Sequence, residues 1–334
     1  MSSACVRMNL RRIALVAALA CTFSRAARAE TPPTVWDRAR DETAQDRYAT
    51  HVHAMIAQEA ASLGKDLDVG DDWGIQRARQ MLEAAHAAES PDPLLRFDLG
   101  LVYEKLEQNT AAVSVLTSAL ALAPGHVAAE RGWNALAIAF ARMDRPTSEL
   151  AAYDQYLHTE VDEEQRASAI LNMAEAEMRQ GHLKEAIAGT EEALRLSQDV
   201  RTGGGVVTFV LAIWDLAVEK DRNGDATGAM IEARRAVSHD RLLGIISDRR
   251  IVFFVPAYER DYYLGLGELA LSVDSDTTRV KLQHAERAER RFSEYVRAAP
   301  SDDRWLRRAK EHLEHAKKRQ KELGKGLPPV PEDP

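Results

Sequence analysis

Two histidines three residues apart, His312 and His315, flanked by Glu311 and Glu314, form one of two close sets of metal-ligating side chains in this 334-residue chain. Residues three apart share a helix face, so the pair has the spacing of half a zinc site. It lacks a third ligand, and a solvated helix face explains it as well. The other close pair is His51-x-His53. Gly203-Gly204-Gly205 is not followed by the Lys-Ser/Thr of a phosphate loop and is read as a turn between helices. There is no G-x-S-x-G or H-E-x-x-H run, and the adjacent acids Glu163-Glu164 and Glu191-Glu192 suit solvated helix faces. No catalytic residue, metal ligand or cofactor is therefore assigned.

The elements around these residues are more informative than the residues themselves. Leu99-Gly100-x-x-Tyr103 is followed by Ala112, Leu116, Ala119 and Pro124. The spacing fits two short helices packed face to face, with small residues admitting close backbones. It recurs. Trp133-x-x-Leu136-Ala137-x-x-Phe140 leads to Leu150, Tyr153 and Leu157, although Glu149 stands where a small residue is expected, which predicts a splayed pair. Met173-Ala174, Gly181, Ala186 and Ala193-Leu194 continue the series, and Leu216-Ala217, Gly224, Ala229, Ala233 and Ala236 follow. Leu264-Gly265 opens a stretched unit in which Ala288, Phe292, Tyr295, Val296 and Pro300 arrive late. This pattern resembles the tetratricopeptide repeat, a helix-turn-helix unit of about 34 residues.

The resemblance implies an all-α fold, a right-handed α-solenoid of stacked helix pairs. Five units start near residues 93, 130, 167, 210 and 258 and fill 93–300, with inserts at 244–257 and 272–283. Residues 30–92 hold N-terminal helices, over about 43–63 and around Ala78, Leu82 and Ala85, as a divergent half-repeat. Residues 301–323 make a capping helix, apolar on one face through Trp305, Leu306, Ala309, Leu313 and Ala316, and 324–334 form a disordered tail.

In that family the first helices of successive units line a concave groove. The corresponding positions are Phe97, Leu101, Asn134, Ile138, Leu171, Glu175, Trp214, Val218 and Tyr262, an aromatic-biased surface suited to an extended peptide or a partner helix. Some of them, Phe97 and Leu171 above all, equally suit the packing between helices. Lys105, Arg142, Arg179 and Arg222 share one slot in four successive units. They form a basic ladder that either grips acidic groups on a partner or answers the helix dipole near each helix end. The family's two-carboxylate clamp is not matched by Asn134 and Asn172. The apolar run from Ile251 to Pro256, continuing into Tyr258, Tyr262 and Tyr263, is either an aromatic wall on the groove or a plug between poorly matched units. The plug is favoured, because exposing so many apolar side chains invites aggregation.

Composition sets the remaining bounds. The chain is 45% hydrophobic and 29% charged with 6% aromatic residues, which suits Ala- and Leu-rich helices and leaves almost no sheet. Arg7, Arg11 and Arg12 precede an apolar run from Ile13 to Phe23, and Ala27-Arg28-Ala29 supplies small residues for cleavage before Glu30. Residues 1–29 thus read as an export signal whose apolar run is too short to span a bilayer. Both cysteines, Cys5 and Cys21, lie inside it. Cleavage would take five arginines and no acids, moving the net charge from −8 to −13. Such acidity, with no basic stripe or recognition motif read from the sequence, argues against a nucleic acid partner. The expectation is an exported scaffold or adaptor without enzymatic activity, located in the periplasm or envelope of a Gram-negative bacterium and binding a protein or peptide. The alternative is a structural lipoprotein tethered by a lipid anchor at Cys21, and a less favoured third is an enzyme with an unrecognised site.

Overall fold

The computed structural model describes residue 51 and residues 73–248, 250 and 252–325. The export signal, both cysteines, His53, the expected helix over 43–63 and the tail from 326 lie outside the described residues. Among the described residues every regular element is helical. The chain divides into two compact units, residues 1–106 and 107–334.

In the first unit, α1 (Trp73–Ala84) packs on α2 (Pro93–Lys105). Pro93 supplies a fixed φ in the first turn of α2, and Asp92 caps it by accepting a hydrogen bond from the Leu94 amide at 3.0 Å. Ala78, Leu82, Leu95, Phe97 and Leu99 are buried. His51 pairs with Asp98.

The second unit is a sequence of neighbours: α3 (Asn109–Leu122), α4 (Ala129–Arg142), α5 (Pro146–Leu157), α6 (Glu163–Gln180) and α7 (Leu183–Leu196) pack each on the next. After the short α8 (Gln198–Thr202), α9 (Gly205–Arg222) packs on α7 and pairs with α10 (Ala226–His239). The short α11 (Gly244–Ser247) precedes α12 (Glu259–Asp274), which packs on α10, and α13 (Thr278–Ala298) and α14 (Leu306–Gly324) complete the chain of contacts.

The repeat register is visible in the backbone. Glu107, Asp144, Gly181 and Gly224 all have positive φ, at 57°, 52°, 79° and 89°, and each lies one or two residues beyond a helix end. A left-handed residue there ends one helix and turns the chain into the next. Each ladder residue, Lys105, Arg142, Arg179 and Arg222, stands two places before it.

Three expectations change. The segment 272–283, read as an insert, is largely helical: it is the end of α12, a short turn and the start of α13, where Thr277 caps the helix by accepting from the Val280 amide. The extra residues lengthen the helices themselves, to 16 in α12 and 21 in α13. The third pair begins at Glu163 rather than near 167, because Asp162 and Gln165 form a reciprocal capping box. Glu149 does not sit at an open splay. It is buried and ion-paired with Arg179 of α6.

Close approach in the C-terminal half depends on glycine. A Cβ on Gly265 would stand 2.8 Å from the Phe292 ring, and one on Gly267 2.8 Å from Trp214 and 2.9 Å from Leu243. Side chains at these two positions would push α12 off its neighbours.

Candidate functional site

The ladder residue Arg222 ends α9, and the chain around it is built differently from the rest. Glu259 at the start of α12 pairs with its guanidinium, which lies 4.7 Å from the Tyr262 ring centre and 5.0 Å from that of Trp305. Burial works against the Arg222 charge, but the Glu259 carboxylate outweighs it and raises the pKa. Trp305 also carries Arg304, at 4.5 Å. Arg222 therefore has both an ionic partner and an aromatic cage.

Two adjoining cavities open here, of 410 and 510 Å³, and both are lined by Met178, Asp215, Arg222 and Tyr263. The first is walled by the strap 252–256, the second by Trp305. Within the strap Phe254 turns inward, 5.1 Å from the Tyr263 ring, while Phe253 is 80% and Val255 92% exposed. Exposure alternates from Val252 to Val255, which makes the strap plug and wall at once. Tyr263 donates to Asp215 at 2.8 Å. Burial raises the Asp215 pKa, opposed by that hydrogen bond and by Arg222.

Behind the cavities lies a charged hub. The Asp221 carboxylate, 1% exposed, accepts from Tyr262 Oη at 2.5 Å, from Arg308 Nη2 at 2.7 Å and from His312 Nε2 at 2.7 Å. Burial alone would raise the Asp221 pKa, but His312, Arg308 and Tyr262 together hold it well below the usual carboxylate range. The hub ties α14 to α9. Tyr258 and Tyr295 likewise hold the loop before α14 by donating to the two oxygens of Asp303, at 2.9 and 3.0 Å.

These contacts correct the sequence-based site. Trp214, Val218 and Tyr262, expected on the groove surface, are buried, as is Phe97 in the first unit. Trp214 faces Gly267 and donates its indole N–H to Asp240 at 3.2 Å, and Tyr262 is committed to Asp221. Leu101, Asn134, Ile138 and Leu171 are half-buried, and Glu175 is exposed and accepts from Thr208 at 3.1 Å. Nor is the ladder a free row of cations. Arg179 pairs with Glu149, Arg222 with Glu259, and Lys105 lies 3.4 Å from Glu104, while Arg142, though exposed, is also engaged. His312 spends Nε2 on Asp221 and stacks on Phe292, so the His312/His315 pair does not present itself as a metal site.

Asp215, Asp221, Glu259, Asp303 and Arg308 were missed by sequence reading. No short-range pattern marks them, since the tyrosine, histidine and arginine partners that build the hub and the cleft lie 8 to 91 residues away. Tyr263 and Trp305 were seen, but as part of a plug and of a cap.

The described chain is an all-α array of helix-turn-helix units. Among solved structures, the array is similar to PilW, described as a widely conserved type IV pilus biogenesis factor, at 18% identity over 76% of this chain and 96% of that chain, with a TM-score of 0.38. It is similar to a tetratricopeptide repeat protein from Parabacteroides merdae at 13% identity over 79% of this chain and 99% of that one, TM-score 0.39. MamA from Desulfovibrio magneticus RS-1 matches at 14% identity over 57% of this chain and 97% of its own, TM-score 0.38. No family model and no curated protein matches the chain. At such TM-scores the fold of the array is read from its own helices.

Proposed function

We propose that this protein is a non-enzymatic interaction module that holds a peptide or partner helix in the cleft centred on Arg222. One observation carries the reading: two adjoining cavities of 410 and 510 Å³ share a floor of Met178, Asp215, Arg222 and Tyr263 beneath the exposed Phe253. An apolar anchor with a few fixed polar groups beside it is how helical grooves select an extended segment. Phe253 and Trp305 offer the anchor surfaces. Asp215 and the Arg222–Glu259 pair supply acceptors and donors that set orientation.

The binding residues of this reading are Phe253, Tyr263, Trp305, Arg222 and Asp215, in place of the buried Trp214 and Tyr262. The leader-like residues 1–29 support a role in the periplasm or envelope. Affinity capture from the organism's envelope extract, run in parallel with the wild-type chain and Phe253→Ser, tests the groove. Partners retained by the wild type and lost by the variant support it. An identical set from both chains would overturn it.

A further inference from the structure

Net charge conceals where the charges lie. From Thr278 to Lys325, across α13, α14 and the loop between them, fifteen Lys and Arg face eight Asp and Glu, an excess of seven positive charges in a chain whose total is −8. Several of those acids are already engaged. Glu294 accepts from Arg291, Glu311 from Arg307 and Arg308, Glu314 from Lys317, and Asp303 from two tyrosines. By contrast Arg279, Arg287, Arg290 and Arg297 on α13 and Lys310, Lys318, Lys321 and Lys325 at α14 are exposed and make no ion pair among the described residues.

Helical spacing puts these cations on the outward faces. On α14 the inward side is Ala309, His312 and Ala316, and Lys310, Lys318 and Lys321 succeed one another at eight and three residues on the other side. On α13 the inward side is Ala285, Ala288, Phe292 and Tyr295, and Arg287, Arg290 and Arg297 recur at three and seven. The two helices pack side by side. At 1.5 Å per residue each is about 30 Å long, so the pair presents two long cationic rows.

We propose that the outward faces of α13 and α14 dock on an anionic phospholipid membrane surface. Charge complementarity is the basis, and local charge decides it. Screening at physiological ionic strength cuts off interactions beyond about 8 Å, so acids elsewhere on the chain do not cancel the rows. A membrane surface offers anionic headgroups along the whole length of such a row. The aromatic rings of α13, Phe292 and Tyr295, are buried and cannot stack on bases, which favours a lipid surface over single-stranded nucleic acid. The apolar faces of both helices are packed inside the protein, so the docking is adsorption without insertion. It is independent of the Arg222 cleft.

The test is flotation of the full chain with phosphatidylcholine vesicles, with and without phosphatidylglycerol. It compares the wild type with the triple variant Lys310→Gln, Lys318→Gln, Lys321→Gln and with the separate pair Arg287→Gln, Arg290→Gln. All five residues are exposed and outside the cleft and the hub, and unchanged helical circular dichroism confirms folding. The wild type is expected to bind the anionic vesicles, to lose most of that binding as salt approaches about 1 M, and to weaken at least about tenfold in the triple variant. The comparison cancels any contribution from residues 1–29, which all versions share. Equal binding by wild type and both variants would overturn the proposal. So would equal binding to neutral vesicles, or competition by duplex DNA at lower concentration than by anionic vesicles, which would assign the rows to nucleic acid.

Discussion

Arg179 and Arg222 occupy the same slot two residues before a left-handed turn, yet one helps build a regular stack and the other the floor of a cleft. Arg179, 36% exposed, reaches back to Glu149 on α5 and closes the seam between consecutive pairs. Arg222, 16% exposed, reaches forward to Glu259 and lies against Tyr262 and Trp305. The difference comes from the segments beyond each helix. Both helices turn directly into their partners, but after the α6–α7 pair the chain passes through the short α8 to α9, whereas after the α9–α10 pair the strap 252–256 intervenes and the loop before α14 covers the cleft. Interruption leaves the cavities, and the same slot becomes part of a site.

The hub behind Arg222 is expected to show the largest effect. Asp221→Ala leaves Arg308 and His312 without their buried carboxylate, and the expected loss is about 3–5 kcal/mol in chemical denaturation, with α14 becoming sensitive to protease. A loss below about 1 kcal/mol would mean that apolar contacts alone hold α14. Next comes Gly267→Ala, which pushes a methyl against Trp214 and Leu243. It is expected to cost about 1–3 kcal/mol, and an unchanged melting temperature would show that the helices yield.

Acidification separates the two regions more finely. The Asp221 pKa is depressed in the fold, so its stabilisation is present above the ordinary carboxylate range and is lost as pH falls below it. Burial raises the Glu149 pKa against the pull of Arg179, so its ionisation costs stability as pH rises through its titration. Asp221→Asn should therefore flatten the acid loss of stability, whereas Glu149→Gln should gain on the wild type as pH rises. Parallel profiles for the two variants would remove the contrast. The smallest change in stability belongs to Phe253→Ser, expected within about 0.5 kcal/mol because the ring is exposed. That variant isolates binding from folding.

Much of the array was legible in the sequence because its signals are local. Gly181 and Gly224 mark turns, Pro93 and Pro146 start helices, and Ala-rich stripes mark contact faces. The site was less legible. Trp214, Val218 and Tyr262 have the spacing of groove residues, but Gly265 and Gly267 let α12 come close enough to bury Trp214 and Tyr262. The Phe253-Phe254 run is uniformly apolar in sequence, and its two rings point opposite ways. The basic rows of α13 and α14 were hidden by an acidic total, which averages over regions that solvent screening keeps apart.

The sequence by itself determined the helices, their turns and the register that places Lys105, Arg142, Arg179 and Arg222 in one slot, since those depend on neighbours three or four residues away. Tertiary structure alone decided which aromatic rings face outward and which carboxylates meet which cations. Asp221 and His312, 91 residues apart, meet because α14 folds back across the end of α9. Nothing within a helix turn of either residue specifies that contact; it arises from packing that buries both and leaves them within hydrogen-bond reach of each other.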